Sequence, residues 1–361
     1  MKLYFRKEEC CGCGACVDVC RVRAIRMISD KEGFLYPHVD KAKCIDCGRC
    51  KQVCPTKKES ILDDQNEYFG VKAKDETTRL SGSSGGVFSI LAEFVLSRQG
   101  IVYGAGYDEH MYVLHQGIKT LEQLQRIKKT KYVQSNMVGI YCNIEHHLMK
   151  GRWVLFCGTP CQAYALRLFL KYDYDKLIIT DLVCYGVPSP GIWKNYVEHL
   201  EHVHQGKLSD FSFRDKRNQD NGHMCSYRID GKEYAKSLYS DVYCKMFFKG
   251  NSVRRSCFKC KFCTVKRSSD FTIGDFWGIE KVRPDLNDGM GISMMITHTD
   301  MAKKVWDMIK EKTIFFQCSK DELLQPRLIE PTAIGKKRFE LMVMYRVLPF
   351  SLFIKWLEKF N

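Results

Sequence analysis

The same cysteine spacing occurs twice in the first 54 residues, and it constrains what the chain can fold around. The run C-x2-C-x2-C-x3-C occurs at Cys10, Cys13, Cys16 and Cys20, and again at Cys44, Cys47, Cys50 and Cys54. In proteins that hold two 4Fe-4S clusters with this spacing, three close cysteines bind one cluster and the fourth binds the other. The sequence therefore predicts one cluster on Cys10, Cys13, Cys16 and Cys54, and a second on Cys44, Cys47, Cys50 and Cys20.

Structural zinc is the alternative for a segment this rich in cysteine, but zinc usually takes two CxxC pairs. Two runs of four cysteines at one spacing favour clusters instead. Pro55 follows Cys54, as the motif expects, whereas Arg21 occupies the corresponding position in the first copy. We therefore expect the first segment to transfer single electrons.

Composition and charge indicate the cellular compartment of the protein and the kinds of partner that it can bind. The 361-residue chain has 19 cysteines, grouped by metal spacing rather than as a disulfide framework, which favours a reducing, cytoplasmic compartment. No apolar signal core and no run of about 18 apolar residues is evident, so no transmembrane segment is expected. The net charge of +15 favours anionic partners such as phosphates, acidic cofactor tails or an acidic ferredoxin. Nucleic acid is not expected, because the basic residues are dispersed.

The residues after the cysteine repeat alternate between strand and helix patterns. YFGVKA (68–73) and IVYGAGY (101–107) predict strands, and VFSILAEFVLSRQG (87–100) between them has apolar residues at helical spacing. The glycine–serine run LSGSSGG (80–86) leads directly into that helix, whose N-terminus could hold a phosphate; a flexible turn before a core helix is an equal alternative. No GxGxxG fingerprint occurs in the chain.

A second unit predicts a pair of parallel strands with cysteines at their ends. WVLF (153–156) is followed by the loop CGTPC, a helix over about 162–170 and the strand LIITDLVC (177–184). Cys157, Cys161 and Cys184 should then lie near the carboxyl ends of adjacent strands, where open α/β sheets bind their ligands.

A third group of cysteines follows in the sequence CFKCKFC, at Cys257, Cys260 and Cys263. Together with Cys161 and Cys184, these thiols favour a third 4Fe-4S cluster, with zinc as the alternative. The remaining cysteines are expected to be small buried side chains rather than ligands: Cys11, Cys142, Cys225, Cys244 and Cys318.

From Tyr68 to about Thr299 the chain resembles the beta-subunit family of coenzyme F420 hydrogenases and dehydrogenases. The stretches that carry the resemblance are SGSSGGVFSIL, KKTKYVQS (128–135), WVLFCGTPCQAYALR (153–167), DLVCYGVPSP (181–190) and SCFKCKFCTVKRSSDFTIGDFWG (256–278). With the N-terminal segment included, the chain resembles the input subunit of F420H2 dehydrogenase. The resemblance implies FAD and one cluster in the main domain.

The resemblance also implies which residues hold these cofactors. The cluster ligands are Cys161, Cys184, Cys257 and Cys260. The residues that contact the flavin are Ser83, Ser84, Gly85, Gly86, Val87, Lys131, Tyr132, Gly274, Asp275, Gly291 and Ser293. Cys157 and Cys263 are extra relative to the family pattern, so either could substitute in the third ligand set.

We expect an α/β (α+β) chain in which a bacterial-ferredoxin-like two-cluster domain is fused to an α/β flavin- and iron–sulfur-binding domain. The expected divisions are residues 1–62, 67–150 with the FAD site, 151–320 with the third cluster, and a helical basic tail at 321–361. A polar linker is expected at 56–66. The amphipathic end of the tail, LPFSLFIKWLEKF (348–360), is expected to dock on the protein's own core or a partner, and peripheral contact with a membrane surface is the alternative.

The expected function is an oxidoreductase that passes electrons from reduced coenzyme F420, or another hydride donor, through FAD to ferredoxin or another redox protein. A hydride carries two electrons and an iron–sulfur cluster takes one, so a flavin must lie between them. Two alternatives remain: a ferredoxin-dependent reductase of a dedicated organic substrate, as relatives that reduce chlorophyll-pathway tetrapyrroles are, and a non-catalytic relay subunit of a larger complex. No catalytic residue is predicted.

Overall fold

The structure is a computed structural model that describes residues 3–58, 65–216 and 223–360. Most of the predicted linker, residues 59–64, lies outside the described residues. The strands are β1 (Ile25–Ser29), β2 (Leu35–Val39), β3 (Glu67–Ala73), β4 (Ile101–Tyr107), β5 (Val113–Ile118), β6 (Val154–Gly158), β7 (Leu177–Leu182), β8 (Leu208–Asp215), β9 (Met224–Ile229), β10 (Lys232–Ser237), β11 (Phe271–Asp275), β12 (Ser293–Thr297) and β13 (Thr313–Gln317).

The α-helices alternate with these strands over most of the chain. They are α1 (Ala15–Asp18), α2 (Arg49–Gln52), α3 (Glu76–Leu80), α4 (Val87–Leu96), α5 (Ile140–Met149), α6 (Pro160–Leu170), α7 (Pro190–His204), α8 (Val242–Phe248), α9 (Ile279–Val282), α10 (Asp300–Ile309), α11 (Lys320–Leu323), α12 (Arg338–Val347) and α13 (Phe350–Phe360). None of the described helices combines the length and apolar character needed to cross a membrane.

The main sheet is mixed, with the strand order β13-β3-β12-β11-β7-β6-β4-β5. Its centre is parallel, because β7 pairs in parallel with both β6 and β11, and β6 pairs in parallel with β4. The outer strands pair antiparallel. The predicted α/β class and the predicted parallel pair β6–β7 are confirmed. Strand β7 ends at Leu182, however, so Cys184 lies in the following loop and not on the strand.

Alternate residues of the central strands belong to two separate apolar clusters. Leu155 of β6 and Ile178 of β7 pack in the cluster that contains α4 and α10. Val154 and Phe156 of β6 pack in the other cluster, which contains α5, α6 and the N-terminal cysteine segment. Because successive side chains of a strand point to opposite faces of the sheet, each cluster lies on one face. The N-terminal segment is therefore part of the layer that covers one face.

A buried carboxylate fixes the N-terminal hairpin of β1 and β2 to the rest of the chain. Glu32, in the hairpin turn, is 1 % exposed and accepts hydrogen bonds from Arg255 at 2.6 Å, Arg338 at 2.8 Å and Arg346 at 2.9 Å. Arg338 and Arg346 belong to α12, so the carboxylate joins the first segment to the C-terminal helices. Helix α13 buries Phe353, Ile354 and Leu357 in the cluster around α7 and α8, so this amphipathic helix packs on the protein's own core.

Replacing Glu32 with glutamine should destabilise the fold, because Arg338 would keep a buried charge without its carboxylate. We expect the free energy of unfolding to fall by about 2 kcal/mol, below the full effect of breaking a buried ion pair because Arg255 and Arg346 are partly exposed. Urea unfolding of the anaerobic protein measures the change. Asp285→Asn, which removes the exposed partner of Arg283, is the control and should leave the midpoint unchanged. A urea midpoint in Glu32→Gln equal to that of wild type would contradict the expectation.

Candidate cofactor sites

The described structure gathers the predicted cysteine ligands into three groups. We call Cys20, Cys44, Cys47 and Cys50 the outer site, Cys10, Cys13, Cys16 and Cys54 the middle site, and Cys161, Cys184, Cys257 and Cys260 the inner site. The four middle-site cysteines line one small cavity. Burial raises the pKa of the Cys16 thiol, and the nearby thiols of Cys10, Cys54 and Cys50 add to that shift.

The outer site lies next to the middle site and reaches the surface. Burial raises the pKa of the Cys50 thiol, and Cys47 and Cys20 lie close enough to contribute. The Cys44 thiol contacts the Asp46 carboxylate at 3.7 Å. Among the twelve predicted ligands, Cys47 is the exposed one.

The inner site is a cavity of about 350 Å³ beyond the carboxyl ends of β6 and β7. Each of the four thiols interacts electrostatically with the other three, which are drawn from Cys161, Cys184, Cys257 and Cys260. Burial raises the pKa of Cys184, and it raises that of Cys257 to about 12. Four converging thiols around a cavity of this size fit the cluster that the resemblance implies. No three His, Cys, Asp or Glu side chains of the described residues are close enough to hold a single metal ion.

The extra cysteines near the inner site differ in their placement. Cys263 lines the cavity, and its hydrogen bond to Cys260 is the main cause that lowers the pKa of Cys260 to about 7. Cys157 is not part of the cavity lining; burial raises the pKa of its thiol to about 12, and the positive charge of Lys131 partly opposes that shift. Of the two substitutes that the sequence left open, the structure brings only Cys263 to the cavity.

Three of the five cysteines expected to be buried non-ligands are placed differently. Cys142 is exposed, so the expectation of burial was wrong for it; Cys11 and Cys318 are partly buried, whereas Cys225 and Cys244 are buried as expected. Cys11 lines the inner cavity, and its thiol lies within hydrogen-bonding reach of the thiols of Cys13 and Cys161. Cys11 therefore connects the middle site to the inner site. Its position directly beside Cys10, outside the spacing of the motif, gave no signal of this role.

The three sites form a continuous row. Cys161 of the inner site approaches Cys11, which approaches Cys13 of the middle site. Cys16 of the middle site approaches Cys50 of the outer site. The row thus extends from the ligand-binding edge of the sheet to exposed Cys47.

The glycine–serine loop before α4 contacts other residues that the resemblance assigns to a flavin. The Gly85 N–H donates to Ser293 Oγ at 2.9 Å, and Ser84 Oγ donates to the Ile292 carbonyl at 3.1 Å. The Thr130 N–H donates to Ser83 Oγ at 2.7 Å, which brings the loop beside Lys131 and Tyr132. A ligand is not the sole reason for the glycines here. A Cβ at Gly85 would lie 2.3 Å from the Val71 carbonyl oxygen, and Gly86 has a φ of +92°.

Buried cations surround this loop, and sequence reasoning missed them. Lys216 is 3 % exposed; its Nζ donates to the carbonyls of Ser84 and Met290, and burial lowers its pKa to about 8. Lys72 and Arg79 share the Asp288 carboxylate. Lys128 donates to Ser81 Oγ at 3.1 Å. These four cations outnumber the two carboxylates that pair with them, Asp288 and Glu76, and such a donor set fits a pyrophosphate.

The remaining flavin candidates lie around an ion pair between Arg214 and Asp275. Tyr132 adjoins this pair and packs against Phe213 and Phe247. Burial lowers the pKa of Lys131 to about 7, and the Cys157 thiol is among its electrostatic neighbours. A Cβ added at Gly274 would lie 2.7 Å from the Val183 side chain. Lys131 and Cys157 therefore connect the flavin candidates to strand β6, which leads into the inner site.

The chain is similar to known families in both of its parts. Residues 151–321 match the family model for the C-terminal region of the beta subunit of coenzyme F420 hydrogenase/dehydrogenase. Residues 9–58 and 36–82 each match a 4Fe-4S dicluster domain. No curated protein matches the chain.

Among solved structures, the chain is similar to one from the xenon-derivatised F420-reducing [NiFe] hydrogenase complex of Methanosarcina barkeri. The identity is 15 %, the match covers 83 % of this chain and 95 % of that chain, and the TM-score is 0.46. The family matches agree with the placement of the cysteine groups: the outer and middle sites lie in the dicluster match, and the inner site lies in the beta-subunit match. The chain therefore combines a region similar to the C-terminal part of the coenzyme F420 hydrogenase/dehydrogenase beta subunit, at residues 151–321, with 4Fe-4S dicluster matches within residues 9–82.

Proposed function

We propose that this chain is an iron–sulfur flavoprotein that passes electrons from reduced coenzyme F420, through FAD, to a ferredoxin-type carrier. The observation that carries the proposal is the continuous row of cysteines from the inner site, at the carboxyl edge of the sheet, to exposed Cys47 at the surface. When bound, FAD exchanges a hydride for single electrons, and each 4Fe-4S cluster holds one of them. The family match supports F420 as the donor.

The protein residues would bind, shield and separate these groups. Lys216, Lys72 and Arg79 would hold the pyrophosphate of FAD beside the N-terminus of α4, where unpaired N–H groups and the helix dipole favour anions. The inner and middle sites, whose cysteines are buried or partly buried, would limit the access of water to their clusters. Exposed Cys47 would be the point at which an outside carrier approaches.

The surface around Cys47 suits an acidic carrier. Lys41, Lys43 and Lys51 are exposed near it, and Asp46 is the nearest carboxylate in the sequence. Ile45 is 67 % exposed at the tip of the same loop and offers an apolar contact. A basic rim around an apolar tip would steer an acidic ferredoxin by charge and leave the short approach to the outer site open.

Anaerobic stopped-flow mixing of the FAD-loaded protein with reduced F420 tests the proposal. We expect the flavin absorbance to bleach first and the cluster absorbance to follow, because the flavin alone accepts a hydride. With an acidic ferredoxin as acceptor, reoxidation should slow as ionic strength rises, and more so in wild type than in Lys43→Glu.

Two other outcomes would replace the proposal. If reduced F420 leaves both chromophores unchanged while reduced ferredoxin reduces the clusters and then the flavin, the chain is a ferredoxin-dependent reductase of an organic substrate. If the isolated chain binds no flavin but its clusters exchange electrons with a carrier, it is a relay subunit of a larger complex.

The ligand set of the inner site predicts the iron content. Anaerobically purified protein should hold about twelve iron atoms per chain. Cys260→Ser should lose about four of them, because Cys260 neighbours each of the other three inner thiols. Cys263→Ser is the matched control and should retain all twelve, since Cys263 neighbours Cys260 and Cys184 but is not part of the set. About eight irons in both wild type and Cys260→Ser would remove the third cluster.

The buried cations predict the affinity for FAD. Lys216→Gln should weaken binding about tenfold or more, as expected when a hydrogen bond to a charged group of roughly 1.5 kcal/mol is lost. Fluorescence titration of the apoflavin protein measures it, and iron content should not change. The control is Lys176→Gln, because Lys176 also donates to a backbone carbonyl, that of Gly151, but is exposed and distant in sequence from the loop. Equal affinity in the two variants would place the pyrophosphate elsewhere.

A further inference from the structure

We propose that Arg254 is the positioning residue that supplies the buried positive charge of the middle site and raises the reduction potential of its cluster. The proposal rests on the proposed function in one respect, which is that Cys10 is a cluster ligand. The Arg254 side chain is 0 % exposed. Its Nη2 lies 3.7 Å from Cys10 Sγ, and its Nε donates to the Cys10 carbonyl at 2.8 Å.

The guanidinium is held in place by neutral groups. Nη1 donates to Gln134 Oε1 at 2.9 Å, and Nη2 also donates to the Leu35 carbonyl at 3.0 Å. The guanidinium lies over the Tyr36 ring, 4.1 Å from its centroid. These contacts fix the orientation of the planar guanidinium so that Nη2 points toward the sulfur of Cys10.

The charge of Arg254 has no carboxylate partner in the part of the chain that the structure describes. Burying a cation is costly unless an opposite charge compensates it. The anionic groups that face Arg254 are the sulfur atoms of Cys10, Cys11 and Cys257, together with the Tyr36 phenol if ionised. The other arginines buried near it contrast with this: Arg338 has Glu32 and Arg267 has Asp181. The compensating charge for Arg254 is therefore that of the cysteine sulfurs and the cluster they would hold.

The backbone of Arg254 also contacts the inner site. The Cys257 N–H donates to the Arg254 carbonyl at 3.0 Å, and the Arg254 N–H donates to the Val187 carbonyl at 2.9 Å. One residue thus binds a middle-site cysteine through its side chain and an inner-site cysteine through its backbone. A side-chain substitution should accordingly act mainly on the middle site.

A hydrogen bond to a ligand sulfur and a nearby positive charge both stabilise the reduced, more negative form of a cluster. Hydrogen bonds to the sulfurs and net charge are among the factors that set cluster potentials. Arg254 should therefore make the middle cluster easier to reduce than it would be with a neutral side chain. Such a shift favours electron transfer from the inner site to the middle site.

Potentiometric titration of the anaerobic holoprotein, followed by electron paramagnetic resonance, tests the proposal. Arg254→Met should move the midpoint of one cluster to a more negative value and leave the outer cluster unchanged. Arg254→Lys, which keeps the charge, should recover most of the difference. Arg255→Met is the matched control: Arg255 binds Glu32 instead of a cysteine, so all midpoints should stay as in wild type.

A second variant keeps Arg254 in place. Gln134→Glu would set a carboxylate about where the amide oxygen lies, 2.9 Å from Nη1, and should shift the same midpoint in the same negative direction. Loss of middle-site iron in Arg254→Met but not in Arg254→Lys would equally support the proposal. Full iron with unchanged midpoints in Arg254→Met or in Gln134→Glu would overturn it. Iron analysis of wild type and Cys10→Ser reports separately whether the middle cluster exists, so failure of the proposed function is distinguishable.

Discussion

The parallel centre of the main sheet must be covered on both faces, and this requirement accounts for the arrangement of the chain. The side chains of strands β4, β6, β7 and β11 alternate between the two faces of the sheet, and a parallel sheet is stable when both of its faces are buried. Helices α4 and α10 cover one face. On the other face, α5 and α6 share their apolar cluster with Ala15, Val19 and Val53 of the cysteine segment. The N-terminal segment is therefore a structural layer as well as a candidate electron carrier.

This packing brings together cysteines that are distant in sequence. Cys11 meets Cys161 because the loop that carries it is held against the N-terminal end of α6. The ion pairs between Glu32 and the arginines of α12 fix the hairpin of the same segment to the C-terminal helices. The distance between the middle and inner sites is thus fixed by the core of the protein rather than by a linker. A fixed distance suits electron transfer, because it does not depend on a domain closing.

Burial of the thiols has a chemical consequence for assembly. Burial raises the pKa of Cys184 and Cys257, which favours their neutral thiol forms before a cluster binds. A cluster requires thiolates, and metal binding therefore releases protons and should strengthen as pH rises. A fixed cation near a site offsets the charge that then develops. Arg254 is placed to do so at the middle site, whereas Arg267, which lines the inner cavity, is already paired with Asp181 at 3.1 Å.

The sequence predicted those features that depend on local spacing. The cysteine runs, the pattern of strand and helix around Gly100, and the parallel pair β6–β7 are each readable within about 30 residues. Cys11, Arg254 and Lys216 were not predicted, because their partners lie far along the chain: Arg254 and Cys10 are separated by 244 positions. Nothing in the residues next to Arg254 indicates that its charge is buried without a carboxylate. The glycines of the loop before α4 were predicted for a phosphate or for a flexible turn, whereas close backbone packing already requires Gly85.

The same geometry separates the two kinds of chemistry that the proposed function combines. Hydride chemistry needs a pocket closed to water, and the flavin candidates lie among buried cations and aromatic rings next to Tyr132. Exchange with a protein carrier needs an exposed site, and Cys47 with the basic rim around it meets that need. The middle site lies between them, in contact with both neighbouring groups of cysteines. Its buried arginine, which has no carboxylate partner among the described residues, is therefore placed where a shift in one potential would affect flow in either direction along the row.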